Sequence, residues 1–185
     1  MAEEFEPTVE LPIHDMDQRH PGLTSAIAAY LVEAARICLD RHHQSPAQFE
    51  LGSGSKSADA WLKWSVTSER ERNAWANEID TTEAGASACA LATTELVIKQ
   101  VAVRRAETGT GADYYIGPLG AGAEDLEDCL RLEVSGIDRG DASEIRRRLA
   151  QKIRQAKMGH SSLPAMAVVV AFRQKTIVLA KVDTE

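Results

Sequence analysis

Between Gly22 and Asp40, apolar residues recur at three- and four-residue steps: Leu23, Ile27, Tyr30, Leu31, Ala34, Ile37 and Cys38. That spacing puts them on one face of a helix. Arg41, His42 and His43 follow at the end where the helix dipole favours positive charge, and Pro46 opposes continuation. Residues 1–22 carry Pro7, Pro12 and Pro21 with little periodicity. They are expected to form a loosely ordered acidic arm ahead of a single domain over 23–185.

Further on, Phe49–Leu51 reads as the start of a short strand and 52–57 as a flexible turn, while Trp61, Trp64 and Val66 fit either strand or helix. Residues 69–79 read as a charged helix. Asp80-Thr81-Thr82-Glu83 resembles the start of another, running from Ala84 to about Val103 and broken by Gly109 and Gly111. Its small residues Ala84, Gly85, Ala88 and Ala92 allow a neighbour to approach closely. A strand over 112–117, a Gly-rich acidic loop over 118–128 and a strand over 129–137 come next. A helix over 142–158 then places Ile145, Leu149, Ile153 and Ala156 on one face, and the β-rich runs 165–172 and 176–182 close the chain. The pattern predicts an α/β (α+β) fold: a mixed sheet of four or five strands flanked by helices, with an N-terminal helical extension.

Composition narrows the classes. At 185 residues, 44% apolar and 26% charged, the chain has the makings of one soluble domain with an adequate core. Cys38, Cys89 and Cys129 are widely spaced and form no CxxC, which argues for reduced thiols and against zinc. No HExxH, GxSxG or GxGxxG occurs, and Gly52–Ser57 lacks the spacing of a phosphate loop, so no dinucleotide cofactor is implied. The acidic start lacks the pattern of a signal peptide, and Pro164–Phe172 is too short to span a bilayer. A cytoplasmic protein without membrane contact is expected.

A net charge of −7 argues against indiscriminate polyanion binding. Basic residues nevertheless gather on the helix 142–158, where Arg146, Arg147, Arg148 and Arg154 could contact DNA locally. The chemistry-bearing pair is Asp113 and Glu133, one on each of two consecutive strands. Two such carboxylates can share a divalent cation, which can activate water against a phosphodiester. Glu95, on the preceding helix, is the candidate third acid.

This arrangement resembles the PD-(D/E)xK, or restriction-endonuclease-like, nuclease superfamily over about residues 83–183. There, an acid on one strand is followed by an (Asp/Glu)-x-Lys tripeptide on the next, then by a helix across the sheet and another strand. Gly111-Ala112-Asp113 matches the first element, and Glu133-Val134-Ser135 matches the second except for its last member. The resemblance implies Asp113, Glu133 and Glu95 as ligands of Mg²⁺ or Mn²⁺, with the Val134 carbonyl as a further ligand. Some branches of the superfamily place a working Gln or Lys on the following helix, which points to Lys152 as a substitute for the missing strand lysine and to Gln155 as a DNA contact. Two readings stay open: a Mg²⁺-dependent nuclease-like protein acting on DNA, and a non-enzymatic interaction subunit of a larger bacterial-type assembly, as a heterocomplex or homo-oligomer.

Overall fold

Helix α1 (Met16–Arg19) is a single turn, and α2 (Ser25–Asp40) starts at Thr24, whose side chain accepts the Ile27 N–H. A hairpin of β1 (Ala47–Ser53) and β2 (Lys56–Leu62) follows, then the short helix α3 (Glu69–Ala74), which Ser68 and Glu71 close with a reciprocal capping box. Helix α4 (Glu78–Ile98) leads into β3 (Gln100–Arg105), β4 (Tyr114–Pro118) and β5 (Leu130–Ile137). Helix α5 (Ala142–Met158) crosses back, and β6 (Ala165–Ala171) and β7 (Thr176–Val182) complete the chain. The computed structural model describes residues 9–182.

The strands form one seven-stranded mixed sheet in the order β2-β1-β7-β6-β5-β4-β3. This corrects the expected four or five strands, although the fold remains α+β. The extra strands come from two places. The hairpin β1–β2 joins the sheet by a parallel pairing of β1 with β7. Strand β3 lies within the segment read as helix up to Val103. Lys99 adopts a left-handed conformation (φ 57°), which ends α4, and Val101, Ala102 and Val103 are buried in the strand that follows. The charged helix expected over 69–79 likewise stops at Ala74, and Asn77 rather than Asp80 caps α4.

Helix α4 is buried around most of its circumference, from Thr81 to Thr94, because it lies between the sheet and α2. Its small residues do allow close approach: a Cβ on Gly85 would sit 2.9 Å from the Ala35 backbone. On the opposite face of the sheet, Ile145 and Ala156 of α5, with half-buried Leu149 and Ile153, pack against β6 and β7.

Residues 9–22 are not a loose arm, and residues 1–8 lie outside the described residues. Leu11, Ile13 and Met16 are at most 1% exposed. At one end, Trp61 N–H on β2 donates to Val9 O and Leu11 N–H donates back to Trp61 O, each at 2.8 Å. At the other, Gly22 N–H donates to Ala102 O on β3 at 2.9 Å. Strands β2 and β3 are the two edges of the sheet, so this segment spans them both. The sheet whose edges it joins is curled.

Candidate active site at an open sheet edge

Strand β4 pairs with β5 only through Tyr114–Ile116 opposite Leu130–Leu132. Strand β5 continues to Ile137, still paired with β6 on its other side. From Glu133 onward, the β4-facing edge of β5 is therefore open. An open edge presents backbone N–H and C=O groups that need partners.

Asp113, at the threshold of β4, supplies one. Its Oδ2 accepts the Val134 N–H at 2.8 Å, and Arg105 stands 3.6 Å from Oδ1. The N–H and C=O of one strand residue point the same way, so the Val134 carbonyl faces this edge too. Gly111 sets the approach to Asp113. It has φ 66°, and a Cβ there would lie 2.7 Å from Gln155 O, so only glycine lets this loop lie against α5.

Glu133 follows Asp113 in the antiparallel register, on the sheet face covered by α5. Its Oε1 accepts from Lys152 Nζ at 2.7 Å, and the side chains are 11% and 17% exposed. Lys152 thus brings to Glu133 the ammonium group that Ser135 cannot provide. Ser135 Oγ meets Arg148 instead, at 3.1 Å. Burial pushes the Glu133 carboxyl pKa up; the Lys152 hydrogen bond opposes this, and the Asp113 charge adds to it. Arg131, which shares the face, makes no pair with Glu133. Its guanidinium is buried against the carbonyls of Thr110, Ala156 and Leu163, and so ties the loop before β4 to the C-terminal end of α5.

The helix-borne acid is not Glu95. That residue lies twelve positions along α4 from Glu83, roughly 18 Å away. It binds Arg19 at 2.7 Å and His20 at 3.0 Å, pinning the N-terminal segment. Glu83 takes the place expected for it. Its carboxyl pKa is raised by burial, lowered by Lys152, the Gly136 N–H and Arg148, and raised again by Asp113. Its side chain is 47% exposed. Gly136 permits this placement, because a Cβ there would lie 2.5 Å from Thr82 O. No sequence signal marked Glu83 beyond its position at a helix start, since an acid there reads equally as a partner of the helix dipole.

Asp113, Glu133, Lys152 and Gln155 line one cleft of about 540 Å³. Of the residues expected to touch DNA, Arg148 and Gln155 sit on the side of α5 that faces this cleft. At about 100° per residue, Arg147 and Arg154 point outward into solvent, and Arg146 points away from the cleft. Among the described residues, no group of three or more His, Cys, Asp or Glu side chains is placed to hold a metal ion. The donor set is that of an open site: two carboxylates and a carbonyl edge suit Mg²⁺, which keeps waters and takes phosphate oxygens in its remaining positions. They do not form an all-protein cage.

Among the described residues, no helix is long and apolar enough to cross a membrane. No family model, curated protein or solved structure matches the chain, so the reading of this edge rests on its own geometry.

Proposed function

We propose that the chain is a Mg²⁺-dependent nuclease-like protein that acts on DNA phosphodiesters at the Asp113–Glu133 edge. The observation that carries this reading is the Lys152–Glu133 contact at 2.7 Å, beside an acid on the adjoining strand. It supplies from α5 the one element missing from the strand motif. The element order around the site (a helix, strands bearing the acids, a crossing helix and a further strand) also agrees with the superfamily resemblance.

Asp113 and Glu133 would hold the cation, which when bound activates water and offsets charge on the leaving oxygen. The chain's own groups do the rest. Val134 N–H fixes the Asp113 carboxylate before any ligand arrives. Lys152 stands beside Glu133, where its side-chain nitrogen can face a phosphate oxygen as negative charge builds. Gln155, exposed on the cleft wall, can donate its amide to a neighbouring phosphate.

The test is cleavage of labelled single- and double-stranded DNA with Mg²⁺ or Mn²⁺, alongside calorimetric titration of the metal. Asp113→Ala and Lys152→Ala should each remove cleavage. If no DNA form is cut and neither metal binds, the proposal is wrong.

The second reading is an interaction subunit. Ile27 and Tyr30 on α2, 48% and 52% exposed, favour it as an uncovered apolar surface. It predicts a stable complex that Asp113→Ala leaves intact.

A further inference from the structure

A second groove, of about 510 Å³, adjoins the acid cleft. The two share Asp113 and Arg105 in their walls. Their chemistry differs. The acid cleft is lined by Lys152, Gln155 and the glycine-rich loop 109–112. The second groove is floored by Leu31, Ala84 and Val134 and flanked by Ile27, Tyr30 and Tyr114.

We infer that this groove receives an unpaired nucleobase next to the scissile phosphate, so that the polynucleotide recognised is single-stranded or frayed at its end. The inference rests on the nuclease-like reading and narrows its substrate. Three observations carry it. The first is continuity: a strand whose phosphate lies at Asp113 has both of these clefts beside it, and they are unlike.

The second is charge. Asp80, Glu83 and Asp113 rim the apolar groove against Arg105 alone, whereas in the other cleft Glu107, Asp113 and Glu133 are faced by Arg105, Lys152 and the Gln155 amide. The phosphate meets the additional cation on that side, and the uncharged base is left to the other. The third is the aromatic surface. Tyr30 is 52% exposed, and its ring is backed by Trp75 at 4.6 Å between centroids. A ring held from behind offers a π-face with little entropy left to lose. In a chain of net charge −7, affinity cannot come from many phosphate contacts. Stacking supplies it without them, and duplex bases are not free to stack on a side chain.

The test is fluorescence anisotropy of the full chain in EDTA, with three labelled probes: a single-stranded oligodeoxynucleotide of about eight nucleotides, a blunt duplex, and an abasic deoxyribose-phosphate oligomer. The single strand should bind best and the abasic oligomer worst. Tyr30→Ala should weaken single-strand binding about tenfold, within the range for one stacked base. It should leave abasic binding unchanged, and Tyr30→Phe should retain the affinity. Ile27→Ser, at a half-exposed site, gives a second variant should Tyr30→Ala disturb Trp75.

Equal binding of all three probes, or no loss in Tyr30→Ala and Ile27→Ser, overturns the inference. If wild type cleaves DNA and these variants cleave single strands equally well, the groove assignment fails while the hydrolytic reading stands. If the variants lose single-strand binding and no metal supports cleavage, the groove stands and the hydrolytic reading fails. If no probe binds, the groove assignment fails, and the hydrolytic reading is decided by the cleavage and metal titrations.

Discussion

Replacing Lys152 by Met keeps the stem that packs beside β5 and removes the ammonium group. Glu133 would then be left 11% exposed, with its nearest positive charge gone. A charge-assisted hydrogen bond of this kind contributes about 1.5–3 kcal/mol, and truncating one partner of a fully buried pair costs about 3–5 kcal/mol. Here both ends retain some water, and Glu133 can escape by taking up a proton, so about 2 kcal/mol at pH 7 is expected. The pH dependence gives the sharper test. The Glu133 carboxyl pKa is already raised in the folded chain. Between its unfolded value and that raised one, the folded state holds more protons than the unfolded state, so stability falls as pH rises through the window. Lysine removal raises the folded value further and widens the window. The cost of Lys152→Met should therefore be largest at pH 7 and fade towards about pH 4, where Glu133 is protonated in the folded state and mostly protonated in the unfolded one. Urea unfolding of wild type, Lys152→Met, Glu133→Gln and the double variant at both pH values measures this. The coupling between the two sites should be about 1.5–2 kcal/mol at pH 7 and close to zero at pH 4. Additivity within about 0.5 kcal/mol at pH 7 would mean that the pair does not form in solution, and the main support for the functional proposal would be lost.

Other outcomes follow from neighbouring contacts. Lys152→Met should bind Mg²⁺ more tightly than wild type in calorimetry while cutting DNA less, because the lysine competes with a cation for Glu133 and yet serves the reaction. Gly136→Ala should lower stability by about 2 kcal/mol or more in urea unfolding, since its Cβ would meet Thr82 O at 2.5 Å and α4 would have to shift. His20 is wholly buried; its Nδ1 accepts the Ala102 N–H and its Nε2 meets Glu95, and burial lowers its pKa. The unfolded chain therefore binds more protons between that lowered value and 6.5, and stability should rise with pH across this window. His20→Gln should flatten that acid limb when urea midpoints are compared from pH 5 to 7. Charge reversal at Arg148 should weaken DNA binding in anisotropy more than reversal at Arg146, which faces away from the cleft.

Much of the candidate site's geometry was legible because strand alternation is strict. Reading Asp113 and Glu133 on consecutive strands was enough to bring them to one edge, and the helical period was enough to place Lys152 over β5. What the sequence did not disclose depended on long-range pairing. Strand β3 is short and follows an Ala- and Leu-rich helix with no Gly or Pro at the junction. The break at Lys99 is a left-handed residue of a type that rarely marks one. Glu83 and Glu95 lie on the same helix and look alike in sequence. What separates them is that Gly136 draws the start of α4 onto β5, whereas Arg19 and His20 claim the far end. Proline content made residues 9–22 look loose, yet Leu11, Ile13 and Met16 are buried in the main core, and Leu11 pairs with Trp61, fifty positions away.

That anchoring bears on how the chain matures as it is synthesised. The segment that fastens both margins of the sheet is made well before its docking sites at Trp61 and Ala102. Closure must therefore be a late event, and until it happens both outer strands offer unsatisfied amides to any neighbouring chain. Deleting residues 9–22 should accordingly produce a protein that clumps during expression rather than one that is merely shorter.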